Sequence, residues 1–227
     1  MQTKNSSLAD IRARLHAWAA GGRTQVHEFD SKDVLTSAGL PIPQRGAAPA
    51  HVVKFCCDAA MHKSEYGLVQ LRVAPQDVPD AIRLVTGNAA SAGLAGGVVL
   101  IEEMVTDGLL EWFVGCRNDS TFGPIVVLGV GGIYADHFGD PEIRLAPLSQ
   151  AEAESAIRAH RAFVIIDGAR GKPRADVVHF AKVVAAISQF YSDTHDLIGE
   201  LDLNPVIVRP AGSGDSVVIA DASIVLG

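Results

Sequence analysis

Leu8, Ile11, Leu15 and Trp18 recur at helical spacing behind Ser6 and Ser7, which can cap a helix, and Gly21-Gly22 ends the run. Such a stripe has to lie on something, either this chain or a partner. A second helix is expected from near Asp30-Ser31 through Val34 and Leu35 to Gly39, a suitable C-terminal cap before Pro41-Ile42-Pro43. The pattern then changes. Val52-Val53-Lys54-Phe55-Cys56 reads as a short buried strand, and Val69-Gln70-Leu71-Arg72-Val73 as an alternating one. Val78, Ile82 and Val85 mark one face of a following helix, and the small-residue stretch from Gly87 to Gly97 is expected to be the hinge between two subdomains.

Further on, Gly97-Val98-Val99-Leu100-Ile101 is a fully apolar strand ending in Glu102-Glu103-Met104-Val105. After a turn at Thr106-Asp107-Gly108, residues 109–116 read as a strand with one acid, Glu111, beside Trp112 and Phe113. Ile125-Val126-Val127-Leu128 is another, running into Gly129-Val130-Gly131-Gly132. Residues 149–160 and 175–191 read as helices, with a glycine-hinged basic loop, 167–172, left to solvent between them. The chain closes on Gly199 to Val208 and Val217 to Ala222, two β-branched runs separated by Pro and Gly, which predict a hairpin. Short strands with helices between them predict an α+β or mixed α/β fold of two lobes, with ligand in the crevice between the lobes. The expected division is an N-terminal helix over 1–25, a first lobe over 26–95 and a second over 96–227.

Three positions on the hairpin carry oxygen. Asp202 and Asn204 lie two apart, so an extended chain projects them to one face, and Asp221 at the end of the second run can close against them. Two carboxylates and an amide oxygen suit Mg²⁺ held together with a nucleotide, although a solvated hairpin end fits the same residues. Lys54 is the second signal. An ammonium buried without a partner costs several kcal/mol, so Lys54 is either a snorkelling lysine on an edge strand or one facing a cleft that holds phosphate. The glycines at 129–132 allow backbone N–H groups to approach an anion, which by itself is a weak phosphate signal.

Composition narrows the class. The 227 residues are 48% apolar and 20% charged, as in an ordinary globular protein. A net charge of -7 argues against a nucleic-acid or anionic-membrane surface. No apolar run approaches membrane-spanning length and the first residues have no signal core, so a cytoplasmic protein is expected. Three cysteines, two of them adjacent, form no disulfide framework or metal-ligand spacing.

Several segments, taken together and in order, resemble a known family. They are Val53-Lys54-Phe55, His62-Lys63-Ser64-Glu65-Tyr66-Gly67, Ile101-Glu102-Glu103-Met104-Val105, Asp119-Ser120-Thr121-Phe122-Gly123-Pro124, Gly129-Val130-Gly131-Gly132-Ile133-Tyr134, Arg144-Leu145-Ala146-Pro147-Leu148 and Glu200-Leu201-Asp202-Leu203-Asn204-Pro205. The series is similar to the ATP-grasp β subunit of the nucleoside-diphosphate-forming acyl-coenzyme A synthetases, and more distantly to that of succinyl-coenzyme A synthetase.

The resemblance implies a two-lobed ATP-grasp fold with the nucleotide in the cleft between the lobes. It also implies reversible conversion of acyl-coenzyme A, ADP and phosphate to acid, coenzyme A and ATP through a phosphohistidine. By position it makes His62 the relay histidine and brings Lys54 and Arg144, with the Gly131-Gly132 turn, to the nucleotide. Glu103 with the backbone of Met104 and Val105 would receive the adenine, and Glu111 the ribose. Asn204 and Asp221 match the metal positions for Mg²⁺, with Asp202 near enough to assist. A neutral imidazole is a competent phosphoryl acceptor near pH 7, and phosphoryl transfer asks a protein chiefly for positioning and charge neutralisation.

Two departures stand out. Leu68 occupies a position where the family's loop usually has a second glycine, and Glu65 and Asp136 exchange Asp and Glu with their charge kept. Nothing in the chain resembles the coenzyme A-binding lobe, so a separate α subunit is expected, in a heterotetramer, with the first helix as a possible contact. Two other readings share the fold: a carboxylate-amine ligase without a histidine relay, and a non-catalytic nucleotide-binding subunit.

Overall fold

A computed structural model describes residues 7–59, 63, 65–132 and 141–227. Helix α1 (Leu8–Ala20) opens on Ser7, whose side chain accepts from the Asp10 N–H while Asp10 accepts from the Ser7 N–H, so two orphan donors are satisfied together. Ile11 and Leu15 are buried in the main core, and Trp18 lies beneath Arg14 and Arg23 at 4.6 and 4.8 Å. The stripe expected to offer a subunit contact is therefore spent mostly on this chain, and only Leu8, 42% exposed, is left outside. Helix α2 (Glu28–Ser37) begins two residues earlier than the apolar pattern suggested, because His27 supplies the cap through its Nδ1. Gly39, at φ +78°, then turns the chain as expected for a helix end.

Among the described residues the strands form two antiparallel sheets. The larger takes β1 (Gln25–Val26), β10 (Ser223–Leu226), β8 (Ile198–Val208), β5 (Leu110–Asp119), β6 (Gly123–Val130) and β7 (Glu142–Leu145) in that order, with β9 (Val217–Ile219) also paired to β8. The predicted hairpin is present, with Val206 opposite Ile219 and Val208 opposite Val217. Helices α4 (Gln150–Ala159), α5 (Phe163–Ile166) and α6 (Val177–Ser192) contribute Ala153, Ile157, Phe180 and Ile187 to its core, around Trp112. Phe180 meets Trp112 edge-on, with ring centroids 5.2 Å apart.

The smaller sheet has the order β3 (Val69–Val73), β2 (His51–Cys56), β4 (Val98–Glu103), and α3 (Val78–Ser91) packs Val85 and Ala89 against it. Two expectations are corrected here. Gly87 to Ser91 belong to α3, and β4 pairs with β2 from Val98↔Cys56 to Glu103↔His51, so the sheets divide after Glu103 and not at residue 95. The apolar run of β4 carries no mark of which sheet it joins; pairing is a long-range choice. Leu68 is fully buried in this small core with Val53, Phe55 and Val85, while its backbone bonds to Phe55 and Lys63. Its side chain thus faces hydrocarbon and is not part of the wall of the cleft between the sheets.

Candidate functional site

Between the two sheets lies a cleft of about 760 Å³, a size suited to a nucleotide. Its floor is a buried ion network. Glu28, at the start of α2, is 3% exposed and accepts at Oε1 from Lys32 (2.7 Å) and Lys54 (2.5 Å) and at Oε2 from Lys63. Lys32 also donates to Glu102 Oε1 at 2.5 Å and to the Ala220 carbonyl at 2.8 Å. Lys63 completes the ring on Asp221 at 2.9 Å. Three ammoniums, Lys32, Lys54 and Lys63, face three carboxylates, Glu28, Glu102 and Asp221, which is what makes their burial tolerable.

Lys54 occupies the central strand of the small sheet, so it is not a snorkelling edge lysine. Burial pulls its pKa down, but Glu28, Asp221 and Glu102 outweigh that and hold it above the ordinary lysine value. Burial likewise pushes Glu28 up, and Lys54, Lys32 and Lys63 overcome this to hold it well below the usual carboxylate range. Both groups are charged throughout the physiological range.

The oxygen group sits on β8 and just beyond β9. Along β8, Leu201 and Leu203 point into the core while Glu200, Asp202 and Asn204 turn toward the cleft. At Asn204-Pro205 the register with β5 slips, since Trp112 pairs with Val206 and Val114 with Leu203. This bulge returns Val206 and Val208 to the core while leaving Asn204 in the cleft. Asp202 Oδ1 is buried without a hydrogen-bond partner among the described residues. Burial first, then Glu200 and Asp221, pushes its pKa up to about 6.

The donor set of Asp202, Asn204 and Asp221 fits a hard divalent cation: all ligands are oxygen, and one carboxylate oxygen has nothing else to bind. Among the described residues no cluster of three His, Cys, Asp or Glu stands at ligand spacing. The glycine turn after β6 closes on the same place. Its Gly131 N–H donates to the Glu111 carbonyl at 2.9 Å, and a Cβ at Gly131 would come within 2.8 Å of Asn204 Oδ1. Gly132, at φ +61°, lies against the Glu111 carboxylate in the same way.

Glu103, Met104 and Val105 line the cleft where β4 leaves the small sheet. The N–H of Glu103 donates to the Gln44 carbonyl and that of Met104 to Ala50, both at 2.9 Å, whereas the Val105 N–H has no backbone acceptor among the described residues. Pro43, Val52 and Ile207 supply apolar walls nearby, and the exposed Glu111 stands across from them. An edge offering a free N–H beside apolar walls can receive a planar heterocycle.

Most of the expected residues therefore meet in one cleft. Arg144 does not join them: it lies on β7, separated from β8 by two strands, pairs with Glu142 at 2.6 Å and is not part of the cleft wall. His62 and Asp136 lie outside the described residues. Sequence reasoning missed Glu28, Lys32 and Glu102. Glu28 and Lys32 form an i,i+4 pair of the kind that ordinarily decorates a solvated helix face, and only the absence of a polar stripe around them could have marked them as buried.

Cleft, lysine-carboxylate floor and glycine turn define a nucleotide-binding domain of two unequal lobes. The ATP-grasp domain family matches residues 17–226, and the chain belongs to that family. It is 30% identical to the β subunit of acetate–CoA ligase [ADP-forming] II of Pyrococcus furiosus over 91% of this chain and 94% of that subunit. It is 31% identical to 4-hydroxybutyrate–CoA ligase [ADP-forming] of Nitrosopumilus maritimus over 85% of this chain, yet spans only 30% of that longer protein.

Among solved structures, the dinucleotide-forming acetyl-coenzyme A synthetase 1 of Ca. Korarchaeum cryptofilum, in complex with coenzyme A and Ca-AMPCP, superposes with a TM-score of 0.84 and 28% identity, covering 95% of this chain and 99% of that one. A second complex of that enzyme, with Mg-AMPPCP and a phosphohistidine segment pointing towards the nucleotide site, gives 0.80 at 28% identity, covering 97% of this chain and all of the other. No helix among the described residues is long and apolar enough to cross a membrane.

Proposed function

We propose that this chain is the nucleotide-binding β subunit of an ADP-forming acyl-coenzyme A synthetase, an acid-thiol ligase that works with a coenzyme A-binding α subunit, as a heterotetramer, in the cytoplasm. The observation that carries the reading is end-to-end correspondence with a protein named as the β subunit of an acetate–CoA ligase. The net reaction is acyl-CoA + ADP + phosphate ⇌ acid + CoA + ATP.

On this chain the step is phosphoryl transfer between nucleotide and His62. The neutral imidazole nitrogen attacks the γ-phosphorus of ATP, the bond to the ADP oxygen breaks, and ADP leaves with that electron pair; synthesis of ATP is the reverse. Lys54 would neutralise phosphate charge, and among the described residues it has an N–H to give, since its hydrogen bonds go only to Glu28 and the Ala220 carbonyl. The Val105 N–H and Glu103 backbone would hold the base and Glu111 the ribose hydroxyls. Asp202, Asn204 and Asp221 would hold Mg²⁺, which when bound spreads the negative charge of the phosphates. The α subunit would supply the coenzyme A site and receive the phosphoryl group.

The test is incubation of the chain with γ-labelled ATP and Mg²⁺, with and without a candidate α subunit. Acid-labile, base-stable label on the protein that vanishes in His62→Ala is the expected result. Nucleotide binding with no label, in the presence of a competent α subunit, would sink the relay.

A further inference from the structure

We propose that Glu28 is a positioning residue for the nucleotide's polyphosphate, fixing the Lys54 ammonium so that its remaining N–H is left for the phosphates, with Lys63 held beside it as a second positive charge; this rests on the nucleotide-binding reading above. Each oxygen of Glu28 has its own task. Oε1 takes Lys54 from β2 at 2.5 Å, and Oε2 takes Lys63 from the segment beside the relay histidine. The two lysines come from separate parts of the chain and repel each other. A shared carboxylate between them is what permits their approach.

Glu28 cannot itself swing out to make way for phosphate. Its side chain has no solvent exposure, and Lys32 pins it from the next turn of the same helix. Lys32 is in turn held by Glu102 and the Ala220 carbonyl, so its three N–H groups are all engaged and none is left for a ligand. Glu28 and Lys32 thus form a fixed bracket at the cleft, where Lys54 keeps one N–H for a ligand while Lys63 gives its three to Glu28 and to both oxygens of Asp221.

Net charge alone predicts the opposite behaviour. Removing a carboxylate from the floor makes the cleft more positive and should tighten phosphate binding. If Glu28 positions the lysines, its loss must weaken it despite the gain in charge.

The test measures, by calorimetry on the full chain, binding of Mg·AMPPCP and of adenosine to wild type, Glu28→Gln and Glu28→Asp. Expected is a roughly 10- to 100-fold weaker Mg·AMPPCP affinity in Glu28→Gln, as for other residues that orient a contacting group. A smaller loss in Glu28→Asp and adenosine affinity within about twofold of wild type complete the expected result. Unchanged or tighter Mg·AMPPCP binding in Glu28→Gln overturns the proposal, as does an equal loss for adenosine, which would make the effect a general collapse of the cleft. Should Glu28→Gln fail to fold, Glu28→Asp keeps the charge and decides by the same comparison. A wild-type chain that does not bind Mg·AMPPCP would overturn the nucleotide reading itself.

Discussion

Lys32 Nζ lies 2.5 Å from Glu102 Oε1, and both side chains are buried, one on a helix packed against the large sheet and the other on the last strand of the small sheet. The pair is a tie between the two halves of the molecule at the base of the cleft. Truncating Lys32 leaves Glu102 with Lys54 only at 3.4 Å.

Lys32→Met should therefore cost about 3–5 kcal/mol, the usual consequence of leaving one member of a buried pair uncompensated. Urea denaturation measures it. A loss below about 1 kcal/mol would mean that Glu102 finds another partner and that the tie is weak.

Asp202 gives a pH signature of known sign. Its folded pKa of about 6 lies above its ordinary value, so the folded state binds the proton more tightly than the unfolded chain. Its contribution to stability is present at acid pH and is lost as pH rises through about 6. Relative to Asp202→Asn, the wild-type chain free of metal should gain denaturation midpoint between pH 7.5 and 5.5. Mg²⁺ affinity in the presence of AMPPCP should move the other way, falling by up to about tenfold per pH unit below 6 as the proton competes. Parallel pH curves for the two proteins would remove Asp202 from the site.

Gly131→Ala probes the turn without touching the lysines. The added methyl would meet Asn204 Oδ1 at 2.8 Å, a side-chain atom that can move aside, so stability should fall by no more than about 1 kcal/mol. The displaced amide should weaken Mg·AMPPCP roughly tenfold, as other disturbances of metal-ligand orientation do. Unaltered affinity would place Asn204 outside the ligand set.

Leu68→Gly restores the residue usual at that place in the family and should make this protein worse. Leu68 is a fully buried member of the small core, so its removal should cost about 2–5 kcal/mol in a thermal or urea melt. Faster histidine phosphorylation by this variant, measured with labelled ATP, would show that the side chain had obstructed the phosphoryl path after all.

How much of this was legible beforehand depends on the range of the interaction concerned. Local pattern was enough for the elements: the capping serine of α1, the hairpin of β8 and β9, and the alternation that turns Asp202 and Asn204 to one side all follow from periods of 3.6 and 2 and from turn residues. Spaced motifs in order were enough for the family, and with it a nucleotide cleft, because several segments at a fixed order seldom coincide by chance. Partnership was a different matter. That β4 joins β2, that α1 covers its own core, that Leu68 faces hydrocarbon and that Arg144 is spent on Glu142 are choices among distant segments with similar local character. Above all, nothing in the local pattern sets Glu28, Lys32 and Glu102 apart from ordinary surface residues. Only the packing of α2 between the two sheets removes water from Glu28, Lys32 and Glu102, and in that dry setting their charges must satisfy one another, so tertiary structure alone turned them into the floor of the site.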